Sequence, residues 1–332
     1  MELDFIIKWC DEIKIPHSPI PSESIDTIYA LLNTGTIPEP KNDTELMFCG
    51  LYFLRENDGP NTEKYLLEAT DRGNFRSLTL LGIYYVRIGN NVEALKYINM
   101  GIERGDPLAM NNLGIFYMNK GDHASAEVWL QRAVDQGHTL SLYNLGVLYR
   151  LMKNYHIMKQ HYIKASQCGI IEGTHAIAKY YRYKKKYKKM VYHLKMGADN
   201  GDDVCMYLLG HYYKRKKKYD QMEIYYKMSI AHGNSNAMYK LGRFCRLHLK
   251  DYTKMFAYHM MGVDRENNKC MLDLGIHFYH QKDKIEEEKW LKLSAEHGNT
   301  SAMFILSEYY KDQGNHAMAK HWRREGMKAL LK

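Results

Sequence analysis

Residues Ala109–Tyr117 read "AMNNLGIFY", and Ala124–Gly137 read "ASAEVWLQRAVDQG". In the first stretch Leu113 and Tyr117 lie four apart, on one face of a helix, with the small Gly114 between them. In the second, Ala126, Trp129 and Ala133 share a helix face, and Gly137 stops the helix. Two amphipathic helices and two short turns therefore make one unit. The stretches "SLYNLGVLY" at Ser141 and "AMYKLGRFC" at Ala237 repeat its first half.

The register extends in both directions. Glycine recurs at Gly73, Gly105, Gly137, Gly169, Gly201 and Gly233, always 32 apart, and again at Gly298. A second series runs Gly50, Gly82, Gly114, Gly146, Ala178, Gly210, Gly242, Gly275 and Ser307, with one residue inserted near Leu249. Leucine or a similar apolar residue precedes each member. An aromatic follows three later, from Phe53 to Tyr310, Cys245 being the exception. The second helix carries a ring in every copy: Tyr65, Tyr97, Trp129, His161, His193, Tyr225, Tyr258, Trp290 and Trp322. Four residues on stands a small residue each time. These rings, His161 and His193 included, are expected in the core. Asn74, Asp106, Asp202, Asn234, Asn267 and Asn299 are suited to cap the next first helix, and Pro107 fits a first helical position.

Nine such copies fill Glu45 to Lys332. No single unit can bury its apolar face, so stacking must supply the core. The expected fold is an all-α, right-handed solenoid of about nine helix-turn-helix repeats over 45–332. Residues 1–44 form an N-terminal helical cap or docking segment outside the register. There, "DFIIKWCDEI" and "SESIDTIYALLNTG" read as two short helices joined by "KIPHSPIPS", with Ser22 as N-cap of the second and Gly35 ending it.

The repeat resembles the Sel1-like branch of the tetratricopeptide repeats. The likeness rests on "AMNNLGIFY" followed by "ASAEVWLQRAVDQG", and on the spacing Ala126, Trp129, Ala133, Gly137. The A–B turn is shorter here than that family's usual loop. The resemblance implies adaptor roles: assembling complexes, or activating or anchoring a partner enzyme.

The net charge of +9 is uneven. Residues 1–44 hold eight acids and three bases, whereas residues 170–201 hold eight bases and two acids. That asymmetry points to a partner surface near the middle of the chain. "YYRYKKKYKKM", Tyr180–Met190, recurs 32 residues later as "YYKRKKKYDQM", Tyr212–Met222. In the register both are A–B turns, so Lys184, Lys185, Lys186, Lys188, Lys216, Lys217 and Lys218 should form one basic ridge. Seven copies begin helix B with Asp or Asn: Asp58, Asn90, Asp122, Asn154, Asp251, Asp283 and Asn315. The other two place Lys186 and Lys218 there, forfeiting a cap.

By analogy with tetratricopeptide geometry, helix A lines the inner groove. The position four after the second glycine reads Arg150, Arg182, Lys214 and Arg246 in copies four to seven. Lys179, His211 and Arg243 stand one after it, and Tyr143, His175, Tyr207 and Tyr239 three before. A cationic, tyrosine-lined stripe suits an acidic or phosphorylated protein segment. The alternative is RNA or single-stranded DNA, which uses the same residue types.

No P-loop, dinucleotide fingerprint, H-E-x-x-H or G-x-S-x-G motif occurs. His277, His280 and Cys270 share a helix, but the plain reading puts one histidine in the core and one in solvent. No catalytic residue, cofactor or metal is expected. Six cysteines without a C-x-x-C pair read as reduced core thiols. With no secretion signal and no membrane span, the expected compartment is the cytoplasm or nucleus.

Overall fold

Each step of the register becomes a pair of helices. The structure, a computed structural model, describes residues 20–35 and 39–331, with Glu2, Leu3, Ile6, Ile7 and Cys10. The first helices of the nine pairs are Asp43–Glu56, Phe75–Arg87, Pro107–Lys120, Leu140–Leu151, Ile171–Tyr183, Asp203–Arg215, Ser235–Phe244, Asn268–Gln281 and Thr300–Asp312. Their partners are Gly59–Asp71, Asn91–Glu103, His123–Asp135, Tyr155–Gln167, Tyr187–Asp199, Tyr219–Ala231, Tyr252–Val263, Lys284–Glu296 and His316–Leu330. No strand occurs among the described residues. The fold is an all-α solenoid of repeats, and the chain divides into two compact units, Met1–Gly173 and Thr174–Lys332.

The turns explain the first glycine series. Gly137 has φ of 88°, a left-handed conformation that costs an L side chain about 1 kcal/mol. Glu266 takes that conformation in the copy without the glycine. The A–B turns need it too, and there Asn57, Lys153, Lys185, Lys217, Lys250 and Lys282 all have positive φ. Asp106, Asp202, Asn234, Asn267 and Asn299 cap the following helix with their side chains, and Asn74 does not.

The second glycine series is a close approach of helix B to helix A within the seven copies that carry the glycine. A Cβ on Gly114 would stand 2.6 Å from Leu130 Cγ and 3.1 Å from its backbone nitrogen. The buried residue of helix B is therefore the one after the ring: Leu66, Ile98, Leu130, Tyr162, Leu194, Tyr226, His259 and Leu291. The rings themselves stack nearly parallel on the aromatic of helix A, as in Phe53–Tyr65, Tyr85–Tyr97, Tyr149–His161, Tyr181–His193 and Tyr213–Tyr225. Most are half-buried; His193, Trp290 and Trp322 are buried. Gly114→Ala will lower stability by about 1–3 kcal/mol through overpacking, although alanine favours helix by about 1 kcal/mol. Thermal melting checks it, and a more stable variant would show that the helices can part.

In the first unit, Ile28 and Leu31 of the helix Ile25–Thr34 pack on Leu46 and Phe48, with Ile6 and Cys10 in the same cluster. Ser22–Ser24 is a short 3-10 turn, so that helix starts three residues after the expected Ser22 cap. Gly35 ends it with φ of 71°. The helix expected over Asp4–Ile13, and most of its connection, fall outside the described residues apart from Ile6, Ile7 and Cys10. In the second unit the inserted residue is absorbed as a π-helical turn, Cys245–Leu249, at the end of copy seven's first helix. Cys168 is exposed and the other five cysteines are buried. No helix among the described residues is long and apolar enough to cross a membrane.

Candidate anion-binding cleft of the second unit

Copies five and six build a cleft of about 470 Å³. Helix Ile171–Tyr183 contributes His175, Lys179 and Arg182, spaced three or four apart and so on one face. Helix Asp203–Arg215 contributes His211 and Arg215 on the same principle, and the turn after it adds Lys216. Met190, Leu194, Val204 and Leu208 form an apolar floor, and Tyr187 and Tyr212 a wall with ring centroids 6.3 Å apart. Among the described residues no carboxylate lines the cleft. Among the described residues none of Lys179, Arg182, Arg215 and Lys216 pairs with one.

The local charge registers on its own members. Burial pushes the His211 pKa down, and Lys240, Arg215, Lys214 and Arg182 push it further. Burial and Arg243 lower Lys214; burial, Lys214, Arg243 and Lys269 lower Lys240. Each of these groups thus feels the charge of its positive neighbours.

His175 is held by Asp202, whose Oδ2 lies 2.6 Å from its Nε2. Burial acts to raise the Asp202 carboxyl, but hydrogen bonds from His175, Cys205 and the Val204 amide outweigh it and leave it below its ordinary value. His175, Asp202 and Cys205 offer ligand atoms within 4.8 Å of one another. They are the residues that could hold a metal. Two facts work against one: burial and Asp202 push the Cys205 thiol far up, and the cleft beside His175 is cationic.

The structure sorts the expected stripe residues. Lys179, Arg182 and His211 meet at the cleft. Lys214 lies over the Phe244 ring at 5.9 Å, next to Arg243, which donates to Tyr239 Oη at 2.7 Å. Tyr207 packs on Tyr226, and Tyr239 on His259. Arg246 is different. The π-helical turn aims it inward, where it donates to both Asp273 oxygens, at 2.6 and 3.2 Å, and its charge is neutralised. Arg150 and Tyr143 belong to the first unit; Arg150 is exposed, and Tyr143 stacks on Tyr162. Arg215 and Lys240 are additional cations. Arg215 could have been found as the residue four after His211. His277 is buried and His280 exposed.

Lys184, Lys185, Lys186, Lys188, Lys216, Lys217 and Lys218 are all exposed. Lys216 Nζ lies 5.9 Å from the centre of the Tyr187 ring, so the two lysine-rich turns are neighbours. Lys186 and Lys218 make no capping hydrogen bond, whereas all seven Asp or Asn residues at that position do. Lys186→Asp will stabilise the fold by about 1 kcal/mol through the restored cap and the removed cation. Chemical denaturation measures it; a loss of stability would mean that the lysine serves the turn.

A tetratricopeptide repeat model matches residues 108–135. A Sel1 repeat protein from Oxalobacter formigenes superimposes with a TM-score of 0.61 at 20% identity, over 90% of this chain and 96% of that one. The c5321 protective antigen of uropathogenic Escherichia coli, of SLR fold, gives 0.54 at 19% identity, over 91% and 71%. No curated protein matches the sequence. The repeats are thus of Sel1-like, tetratricopeptide type, and this likeness concerns the fold.

Proposed function

We propose that this Sel1-like solenoid is a non-enzymatic scaffold or adaptor whose second unit holds an acidic or phosphorylated segment of a protein partner. One observation carries the reading: Lys179, Arg182, His211, Arg215 and Lys216 gather round a cleft that no acid lines. An anion supplied by a ligand would relieve that repulsion, and arginine adds bidentate geometry toward carboxylate or phosphate. Lys214, Lys240 and Arg243 extend the positive face, with Tyr207 and Tyr239 beside them. Arg246 takes no part, since Asp273 holds it. Residues 1–44 are read as an N-terminal cap or docking segment, and the site of action as the cytoplasm, with the nucleus as the alternative.

A second reading has its own support. Tyr183 is 80% exposed beside Lys184, Lys185 and Lys186, an arrangement on which a base of RNA or single-stranded DNA can stack. The two are separated by capturing partners of the tagged chain from native lysate, with and without nuclease, and identifying them by mass spectrometry. A protein retained stoichiometrically after nuclease supports the scaffold. Loss of all bound material with nuclease makes the lysine ridge a nucleic-acid surface.

A further inference from the structure

The cleft is larger and more apolar than an acidic side chain needs. Its volume of about 470 Å³ falls within the range of small-molecule pockets, roughly 300–1,000 Å³. A carboxylate or a phosphoserine at its cationic rim would leave the accessible apolar surface of Val204 and Leu208, backed by the buried Met190 and Leu194, uncovered. The two half-buried tyrosine rings of the wall would likewise keep accessible surface that such a ligand does not cover. The site therefore asks for a ligand with an apolar, planar body and a compact negative charge at one end.

Two kinds of group have that form, a nucleotide and an aryl phosphate. The lining decides between them. It contains no Asn, Gln, Ser, Thr, Asp or Glu, and its polar atoms belong to lysine, arginine, histidine and tyrosine. A base seated on this floor would bury edge N–H donors where the lining side chains, tyrosine and histidine apart, offer no acceptor, at about 1–3 kcal/mol each. A phenyl ring has no such groups. His211, beside which Arg215 and Arg182 place their charge, adds an N–H donor at the cationic end, and His175 is fixed there by its hydrogen bond to Asp202.

We infer that the cleft between copies five and six accepts a phosphotyrosine side chain of the partner segment, its ring on the apolar floor and its phosphate among Lys179, Arg182 and Arg215. This deepens the scaffold reading and rests on it. The bidentate fork of arginine matches two phosphate oxygens, and the floor then distinguishes phosphotyrosine from shorter phosphorylated residues.

The test uses the full chain and defined probes. Degenerate peptide libraries with a central phosphotyrosine, phosphoserine, glutamate or tyrosine are compared by fluorescence anisotropy. Phenyl phosphate, inorganic phosphate and adenosine 5′-monophosphate compete in the same assay. The phosphotyrosine library should bind about tenfold tighter than the phosphoserine library, and phenyl phosphate should compete at about tenfold lower concentration than inorganic phosphate or the nucleotide. Arg182→Gln with Arg215→Gln should remove the binding of both phosphorylated libraries. Val204→Phe, which fills the floor, should remove the preference for the ring and spare phosphoserine binding. Melting curves confirm that both variants are folded.

Equal binding of the phosphotyrosine, phosphoserine and glutamate libraries would overturn this inference and leave the scaffold reading standing. Tight binding of the nucleotide with none of the peptides would overturn both. If no probe binds, the inference is wrong, and lysate capture after nuclease still decides the scaffold reading separately.

Discussion

Asp273→Ala will destabilise the second unit by about 3–5 kcal/mol, because it removes the one anion from a buried network and leaves the cation behind. Asp273 is buried in the first helix of copy eight. Its carboxylate accepts from Arg246 Nη2 at 2.6 Å and Nε at 3.2 Å, and it meets His259 Nε2 at 2.8 Å. His259 is wholly buried against Gly242, and its Nδ1 has no partner, so the ring depends on Asp273 for its orientation. At roughly 2–4 °C per kcal/mol for a unit of this size, the melting temperature should fall by about 10 °C.

The pH dependence follows from the same geometry. Burial acts to raise the Asp273 carboxyl, but the hydrogen bonds and charges of His259 and Arg246 outweigh it and hold the pKa below its ordinary value. The unfolded chain therefore binds the proton more readily than the folded one. Stability from this group is complete above the ordinary aspartate value, about pH 4, and is lost as pH falls through the depressed one. The gap between wild type and Asp273→Ala should be wide at pH 7 and shrink in strong acid. A variant within about 1 kcal/mol of wild type at pH 7 would mean that Arg246 finds solvent when its partner is gone.

Arg182→Glu with Lys214→Glu will weaken partner capture by at least about a hundredfold without lowering the melting temperature. Removing one partner of a desolvated charge pair commonly costs about 2–5 kcal/mol in binding, and reversal adds repulsion. The fold should not suffer. Arg182 is exposed and has no carboxylate partner among the described residues. Lys214 is half-buried, and burial and Arg243 already disfavour its charge, so a glutamate beside Arg243 relieves repulsion. Capture should also fall with added salt. Undiminished capture by a folded double variant would place the binding surface elsewhere.

The architecture was legible because its physics repeats. The glycine of helix A, the small residue of helix B and the capping Asp or Asn each recur in nearly every copy, so a single exception cannot hide the column. The buried seam was misassigned by one residue. Rings such as Tyr65 and Tyr97 dominate the sequence pattern, yet the adjoining Leu66 and Ile98 meet the glycine. The division at Gly173 left no mark, since the register crosses it unbroken. Copy seven shows the limit for the candidate site. Arg246 stands in column with Arg182 and Lys214, but the inserted residue makes a π-helical turn that sends it to Asp273. Column position specifies a face of a regular helix, and the helix there is not regular. Lys179, Arg182 and His211 line the cleft at their expected columns because their helices are regular. Arg215 and Lys240 were missed because only three positions per helix were followed, and the cationic face is wider.

The most direct measurement of the central claim is capture by wild type and by Arg182→Glu with Lys214→Glu, side by side from nuclease-treated native lysate, quantified by mass spectrometry. The account predicts a protein that wild type retains stoichiometrically, that the folded double variant loses, and that phosphatase treatment or an excess of acidic peptide releases. Retention of the same protein in equal amount by both chains would contradict it.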